Sequence, residues 1–195
     1  MRNRLLVSLP ALLLFLSSCS HVVYEPAPVV PTKTPLPYSA KVKLLHIGSY
    51  LVEPGSTMVA DPRIENRVTI PGSSHEGTMK AWEKSVAEYL AARKTFTYLS
   101  MDSQTDLDVA LRLNIYIDPG VLFQYRHVYI ARADAVLIDP RNNAVISTYQ
   151  GFGKAFGEVS RGGPEDDRAP MNQAVQASLN NLFEKIEGDQ RLRRL

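Results

Sequence analysis

The chain has little of most things that signal chemistry. Its 195 residues hold one cysteine, one tryptophan and four histidines. A single cysteine excludes an internal disulfide and any zinc cage built from several thiolates. His21, His46, His75 and His127 stand far apart, with none of the paired spacing of a metal site. Net charge is scarce as well. Of the 22 lysines and arginines, Arg2 and Arg4 lie in the first eighteen residues, which leaves 20 bases against 20 acids in the rest. A chain so balanced carries no nucleic-acid footprint. Its one basic cluster, within 189–195, reads as a solvated tail. No apolar run is long enough to cross a bilayer. The longest, 5–16, is about a dozen residues where a helical span needs about 20.

What is present begins at the first residue. A basic start, the short apolar run and the small residues Ser17 and Ser18 describe a secretory signal peptide over 1–18. The exit, Leu16-Ser17-Ser18-Cys19, resembles the lipobox of bacterial lipoproteins. That resemblance implies cleavage before Cys19 and acylation of its thiol, hence a membrane attachment of two or three acyl chains. A single chain binds only marginally, at about 0.8 kcal/mol per buried CH2. Serine rather than aspartate at position 20 implies, by the same resemblance, sorting to the outer membrane with the domain in the periplasm. Residues 19–40 then carry prolines at 26, 28, 31, 35 and 37 and few core-forming side chains. They read as an extended linker of about 20 residues, long enough to hold a domain up to ~60 Å from the lipid.

Residues 41–188 fit one domain. A strand is expected over 41–52, then a turn-rich loop with a short strand at 68–70. Ser73 followed by Glu76 makes a capping box. Met79, Trp82, Val86, Tyr89, Leu90 and Arg93 recur at helical spacing, which predicts a helix of about 18 residues. A short strand follows at 96–99. The clearest period lies in 106–118, where Leu107, Val109, Leu111, Leu113, Ile115 and Ile117 alternate with polar residues. Such a strand places one face in a core. Strands over 127–138 and 145–156, joined by a turn at 139–143, complete a meander. Met171, Val175, Leu179, Leu182 and Ile186 predict a second helix ending at Gly188. The expected fold is α+β: an antiparallel sheet of about four strands with two helices packed on one face.

Several segments together resemble a broad set of bacterial envelope lipoproteins. These are DPRIENRV, KAWEKSVAEYLAARKTFTYL, RADAVLIDPRNNAVISTYQGFGKAFG and DDRAPMNQAVQASLNNLFEKI. The set comprises the YajG-like lipoproteins, the auxiliary lipoproteins of ABC-type transporters, and the penicillin-binding-protein activator and curli-secretion lipoproteins. The first two patterns fit best, because strand 106–118 follows the first helix with almost no insertion. With the tether and the absence of a catalytic constellation, the expected protein is a non-enzymatic, lipid-anchored periplasmic adaptor that supports an envelope complex by protein contact. The alternatives the resemblance leaves open are a lipid-transporter auxiliary, a ring-forming secretion lipoprotein and a cell-wall synthase activator.

No residue pattern demands catalysis, a cofactor or a metal. In the segment 72–77 the second glycine sits one residue too far along for a nucleophile elbow, and capping explains Ser73 and Glu76. Asp106 and Asp108 share a strand face at a separation that suits paired acids, but solvated strand carboxylates are far commoner and explain them. The acids at 165–167 suit a helix start. Gly151, Gly153 and Gly157 lack the strand-to-helix setting of a phosphate loop. Two regions stand out as partner surfaces. One is the apolar stretch 121–125 with Phe123 and Tyr125, readable also as a core lid. The other is a solvent-facing polar strand surface made by Asp108, Arg112 and Asn114, with Arg132 and Asp134 beside it.

Overall fold

The alternation along 109–117 builds the middle of the sheet. In the computed structural model, which describes residues 24–49, 76–101, 107–123, 126–158 and 168–194, Val109, Leu111, Leu113 and Ile115 are buried on one face of a 15-residue strand. Residues 72–75, with the capping serine Ser73, and Asp106, Tyr125 and the acids at 165–167 lie outside the described residues, while Glu76 is the first residue of the first helix. The elements in chain order are β1 (Leu36–Ser49), α1 (Glu76–Arg93), β2 (Phe96–Ser100), β3 (Val109–Phe123), β4 (Arg126–Asp139), β5 (Ala144–Glu158) and α2 (Arg168–Gly188). A short 3-10 turn, Leu192–Arg194, follows and buries Leu192.

The sheet corrects the expected antiparallel four strands. Among the described residues it has five, in the order β2-β1-β3-β4-β5, and it is mixed. β1 pairs in parallel with β2 on one side and β3 on the other, whereas β3-β4-β5 is the expected antiparallel meander. α1 supplies the crossover that parallel strands require. The passage from β2 to β3 is shorter, because the two strands are staggered along β1. Tyr98, Leu99 and Ser100 pair with Ser39, Ala40 and Lys41, and β3 begins opposite Ala40 and Lys41. The chain therefore only has to step across β1. Asp108 clips that step: its Oδ2 accepts from the Ser39 backbone N–H at 2.8 Å and from Ser39 Oγ at 2.7 Å.

Both helices pack on one face, as expected. α1 buries Trp82, Val86, Tyr89 and Leu90, and α2 buries Val175, Leu179, Leu182, Phe183 and Ile186. Tyr89 of α1 meets Phe183 of α2 with ring centroids 5.9 Å apart, and its hydroxyl donates to Asn180 Oδ1 at 2.9 Å. The helices also share a buried ion pair between Arg93 and Glu187. α1 ends with Lys94 in the left-handed region (φ 60°), its N–H bonded to the Leu90 carbonyl at 3.0 Å. α2 lies so close to β5 that Gly151 and Gly153 have no room for a side chain. A Cβ on Gly153 would stand 1.9 Å from the Ala174 carbonyl oxygen, and one on Gly151 2.1 Å from that of Ser178.

The proline-rich stretch departs from the expected free linker in two ways. β1 begins at Leu36 rather than Lys41, and residues 24–34 lie across the two helices. Tyr24 is fully buried and stacks on Trp82 at 5.9 Å and 28°. Its hydroxyl donates to Gln176 Oε1, which also accepts the Ala27 N–H at 3.1 Å. The Thr32 N–H bonds to the Arg93 carbonyl at 2.7 Å. Prolines keep such a segment extended and short of donors, and an aromatic ring then supplies apolar area to fix it in place.

Candidate functional site

The sheet surface turned away from the helices holds an unusual set of side chains. Residues opposite each other in an antiparallel pair share a face. The pairs Asn114–Asp134, Tyr116–Arg132, Arg132–Phe152 and Asp134–Gln150 therefore place these six side chains together across β3, β4 and β5. Arg132 Nη2 meets Asp134 Oδ2 at 2.9 Å, and the Arg132 guanidinium carbon lies 4.5 Å from the centre of the Tyr116 ring. This is an ion pair backed by a cation–π contact.

The expectation of a solvent-facing polar surface needs correction here. Asn114, Tyr116 and Asp134 are at most 8% exposed, and Val136 and Ile138 on the same face are buried too. β3 thus buries side chains on both faces. Burial holds the Asp134 carboxyl above the ordinary carboxylate range, against the opposing charge and hydrogen bond of Arg132 and the amide of Gln150. The Tyr116 hydroxyl is raised too, first by burial and then by the Asp134 charge. Asp134 Oδ1 has no hydrogen-bond partner among the described residues. A buried carboxylate oxygen left unmatched carries a desolvation cost of about 1–3 kcal/mol or more.

Beside this cluster the surface is apolar and exposed. Phe152 and Phe156 are 51% and 57% exposed, and Ile130 is 41% exposed. Ile130 pairs with Lys154, which lies between the two phenylalanines on β5, so the three apolar side chains are diagonal neighbours. Lys154 Nζ sits 4.9 Å from the Phe156 ring centre. This patch escaped the sequence reading. Its signal is the alternation Gly151-Phe152-Gly153-Lys154-Ala155-Phe156-Gly157. The small residues face α2, and the large ones are left on the opposite face.

β5 is an edge strand, but part of its backbone is covered. Asn181 Oδ1 accepts the Phe152 N–H at 3.2 Å, and Lys185 Nζ donates to the Gln150 carbonyl at 2.7 Å. The close approach of α2 lets its polar side chains reach around the strand and satisfy groups that would otherwise template another strand.

The other predicted partner residues separate. Asp108 serves the β2–β3 step, and its contact with Ser39 holds its carboxyl below the ordinary range. Arg112 faces Lys43 and Val136, next to Asn114 on the outer face. Phe123 pairs with Arg126 at the end of the β3–β4 hairpin, away from the polar cluster. Only Arg112 and Asn114 of the predicted set share the neighbourhood of Arg132 and Asp134. Among the described residues no three acidic, histidine or cysteine side chains gather as metal ligands, and no helix is long and apolar enough to cross a membrane. A cleft of about 230 Å³ between α1 and β1 is lined by Val42, Lys43, Glu83, Lys84, Ala87 and Met101. It is smaller than the ~300–1,000 Å³ usual for small-molecule sites.

No family model matches the chain, and no curated protein matches it. Among solved structures, protein XCC0632 from Xanthomonas campestris, of family DUF330, superposes with a TM-score of 0.54 at 16% identity, over 88% of this chain and 98% of that one. That likeness establishes a shared α+β fold. A provisionally assigned lipoprotein from Caulobacter crescentus CB15 gives a TM-score of 0.35 at 15% identity, over 48% of this chain and 70% of that one. A provisional homologue of the neuraminyllactose-binding hemagglutinin from Helicobacter pylori gives 0.44 at 13%, over 89% and 94%.

Proposed function

We propose that this protein is a non-enzymatic, lipid-anchored adaptor of the bacterial envelope. It is attached to the outer membrane through Cys19 and docks a protein partner on the outer face of its sheet. The observation that carries this reading is the exposed apolar patch of Ile130, Phe152 and Phe156 lying against the largely buried Arg132–Asp134 pair. Exposed apolar side chains around a desolvated charged pair match the make-up of interaction hot spots, where aromatic residues and arginine predominate. The lipobox-like Leu16-Ser17-Ser18-Cys19 supports the anchor, and the fold shared with the DUF330 protein is compatible with it.

The test is crosslinking in intact cells. A photoreactive residue at position 152 or 156 should trap one discrete protein partner, and the same residue at exposed Glu184 on α2 should not. Absence of any adduct from 152 and 156, or an equal yield from 184, would overturn the docking face.

A further inference from the structure

The strap formed by residues 24–34 has a direction, and that direction decides how the domain meets the membrane. Tyr24 and Ala27 are held by Gln176, and the Glu25 N–H bonds to Asn172 Oδ1 at 3.3 Å, so the strap enters over the first turns of α2. It leaves at the other end of the helix layer, where the Thr32 N–H meets the Arg93 carbonyl and the Leu36 N–H meets that of Thr95, each at 2.7 Å. Between Cys19 and Tyr24 there are five Cα steps. At no more than about 3.6 Å each they reach about 18 Å, against the ~60 Å that a free linker of the whole proline-rich stretch would allow.

We propose that the docked strap holds the α2 N-terminal end of the domain against the lipid surface, with the α2 C-terminal end pointing away. The inference rests on the reading of Cys19 as the anchor. α2 has 21 residues, so at about 1.5 Å per residue its two ends differ in height by up to ~30 Å. The outer sheet face, with Phe152 and Phe156, then stands beside the bilayer. The partner it fits is a protein that sits in or on the same membrane, within one domain length of the lipid.

The full-length acylated protein in phospholipid vesicles carries the test. Acylation consumes the chain's only thiol, so a cysteine introduced as Gln173→Cys or Gln190→Cys is a unique labelling site. Both positions are exposed, one near the start of α2 and one just past its end. Energy transfer to acceptor-labelled headgroups is expected to be several-fold stronger from 173 than from 190. A second readout uses Trp82, the only tryptophan. The pair Tyr24→Ala and Gln176→Ala should red-shift its emission and abolish the difference between the two labels. Equal transfer from both sites with an intact strap and an acylated Cys19 overturns the orientation alone. A mass showing Cys19 unmodified overturns the anchor and the orientation with it. The comparison of 173 with 190 does not depend on whether the strap variant folds.

Discussion

Arg93 and Glu187 join the ends of the two helices through two parallel bonds, Nε to Oε1 at 2.8 Å and Nη2 to Oε2 at 2.9 Å. Both residues are buried, and Thr95 Oγ1 adds a third bond to Glu187 Oε1 at 2.6 Å. Planar, bidentate geometry is the arrangement in which arginine and carboxylate bind most strongly. Removing one partner strands the other charge in a place water does not reach. Glu187→Ala should therefore cost about 3–5 kcal/mol, measured by denaturant unfolding. Replacing both residues with methionine should recover much of that loss, since no charge is then left buried. A loss below about 1 kcal/mol in the single variant would mean that solvent screens the pair.

Gly153 faces the Ala174 carbonyl so closely that a methyl group at that position must push α2 away from β5. Gly153→Ala should destabilise the domain by about 2–3 kcal/mol or more, the scale of overpacking in a tight core. Gly188 is the control, because nothing lies within 4 Å of a Cβ placed there. Gly188→Ala should stay within about 0.5 kcal/mol of the parent. Paired melting curves of the two variants decide whether the glycines of β5 are spacers for α2.

The helices and the meander were legible because period and length speak for themselves. The stripe Trp82–Val86–Tyr89–Leu90 and the stripe Met171–Val175–Leu179–Leu182–Ile186 named their buried faces correctly. The parallel pairing of β1 was not legible. Ala40, Val42 and Leu44 alternate with Lys41 and Lys43 whichever way the neighbouring strand runs. The docked strap was hidden for a related reason: proline content reports an extended backbone but not what lies beside it. Asn114 and Asp134 read as wet because polar residues on a strand usually are. Their burial comes from packing that no local pattern encodes. Phe152 and Phe156 were missed because alternation was read for its large inward residues. On β5 the inward positions are glycine and alanine.

Two carboxyls should give opposite responses to acid. Arg191 holds Asp189 well below the ordinary carboxylate range, through its side chain at 2.6 Å and its backbone N–H at 2.9 Å, with Tyr149 donating at 2.8 Å. Its folded value lies below the unfolded value of about 3.9. The stability it contributes is therefore present above that pH and is lost as the pH falls toward the folded value. Asp134 is raised instead, so the folded state takes up its proton first and gains stability as the pH falls through the folded value to about 3.9. Between pH 7 and about 3, Asp189→Asn should lose less stability than the parent, and Asp134→Asn should lose more. Urea midpoints at the two pH values test both signs. Equal losses in all three proteins would remove both carboxyls from the acid response.

The exposed phenylalanines are the place where stability and binding should part company. Phe152 and Phe156 are half exposed, so trimming either to alanine gives up only part of a phenylalanine's burial and should cost about 1 kcal/mol, well short of a core truncation. On a docking surface the same trimming removes the apolar anchors, whose loss typically costs a complex about 2 kcal/mol or more each. The double variant Phe152→Ala/Phe156→Ala, with the photoreactive residue moved to the neighbouring exposed Ile130, should therefore stay folded, within about 2 kcal/mol of the parent by denaturant unfolding, while its crosslinked partner disappears. The matching change on the helix side, Glu184→Ala, should alter neither. If the double variant keeps its partner at full yield, the aromatic patch is not the contact surface. If it loses the partner only because it unfolds, Phe152 and Phe156 belong to the core.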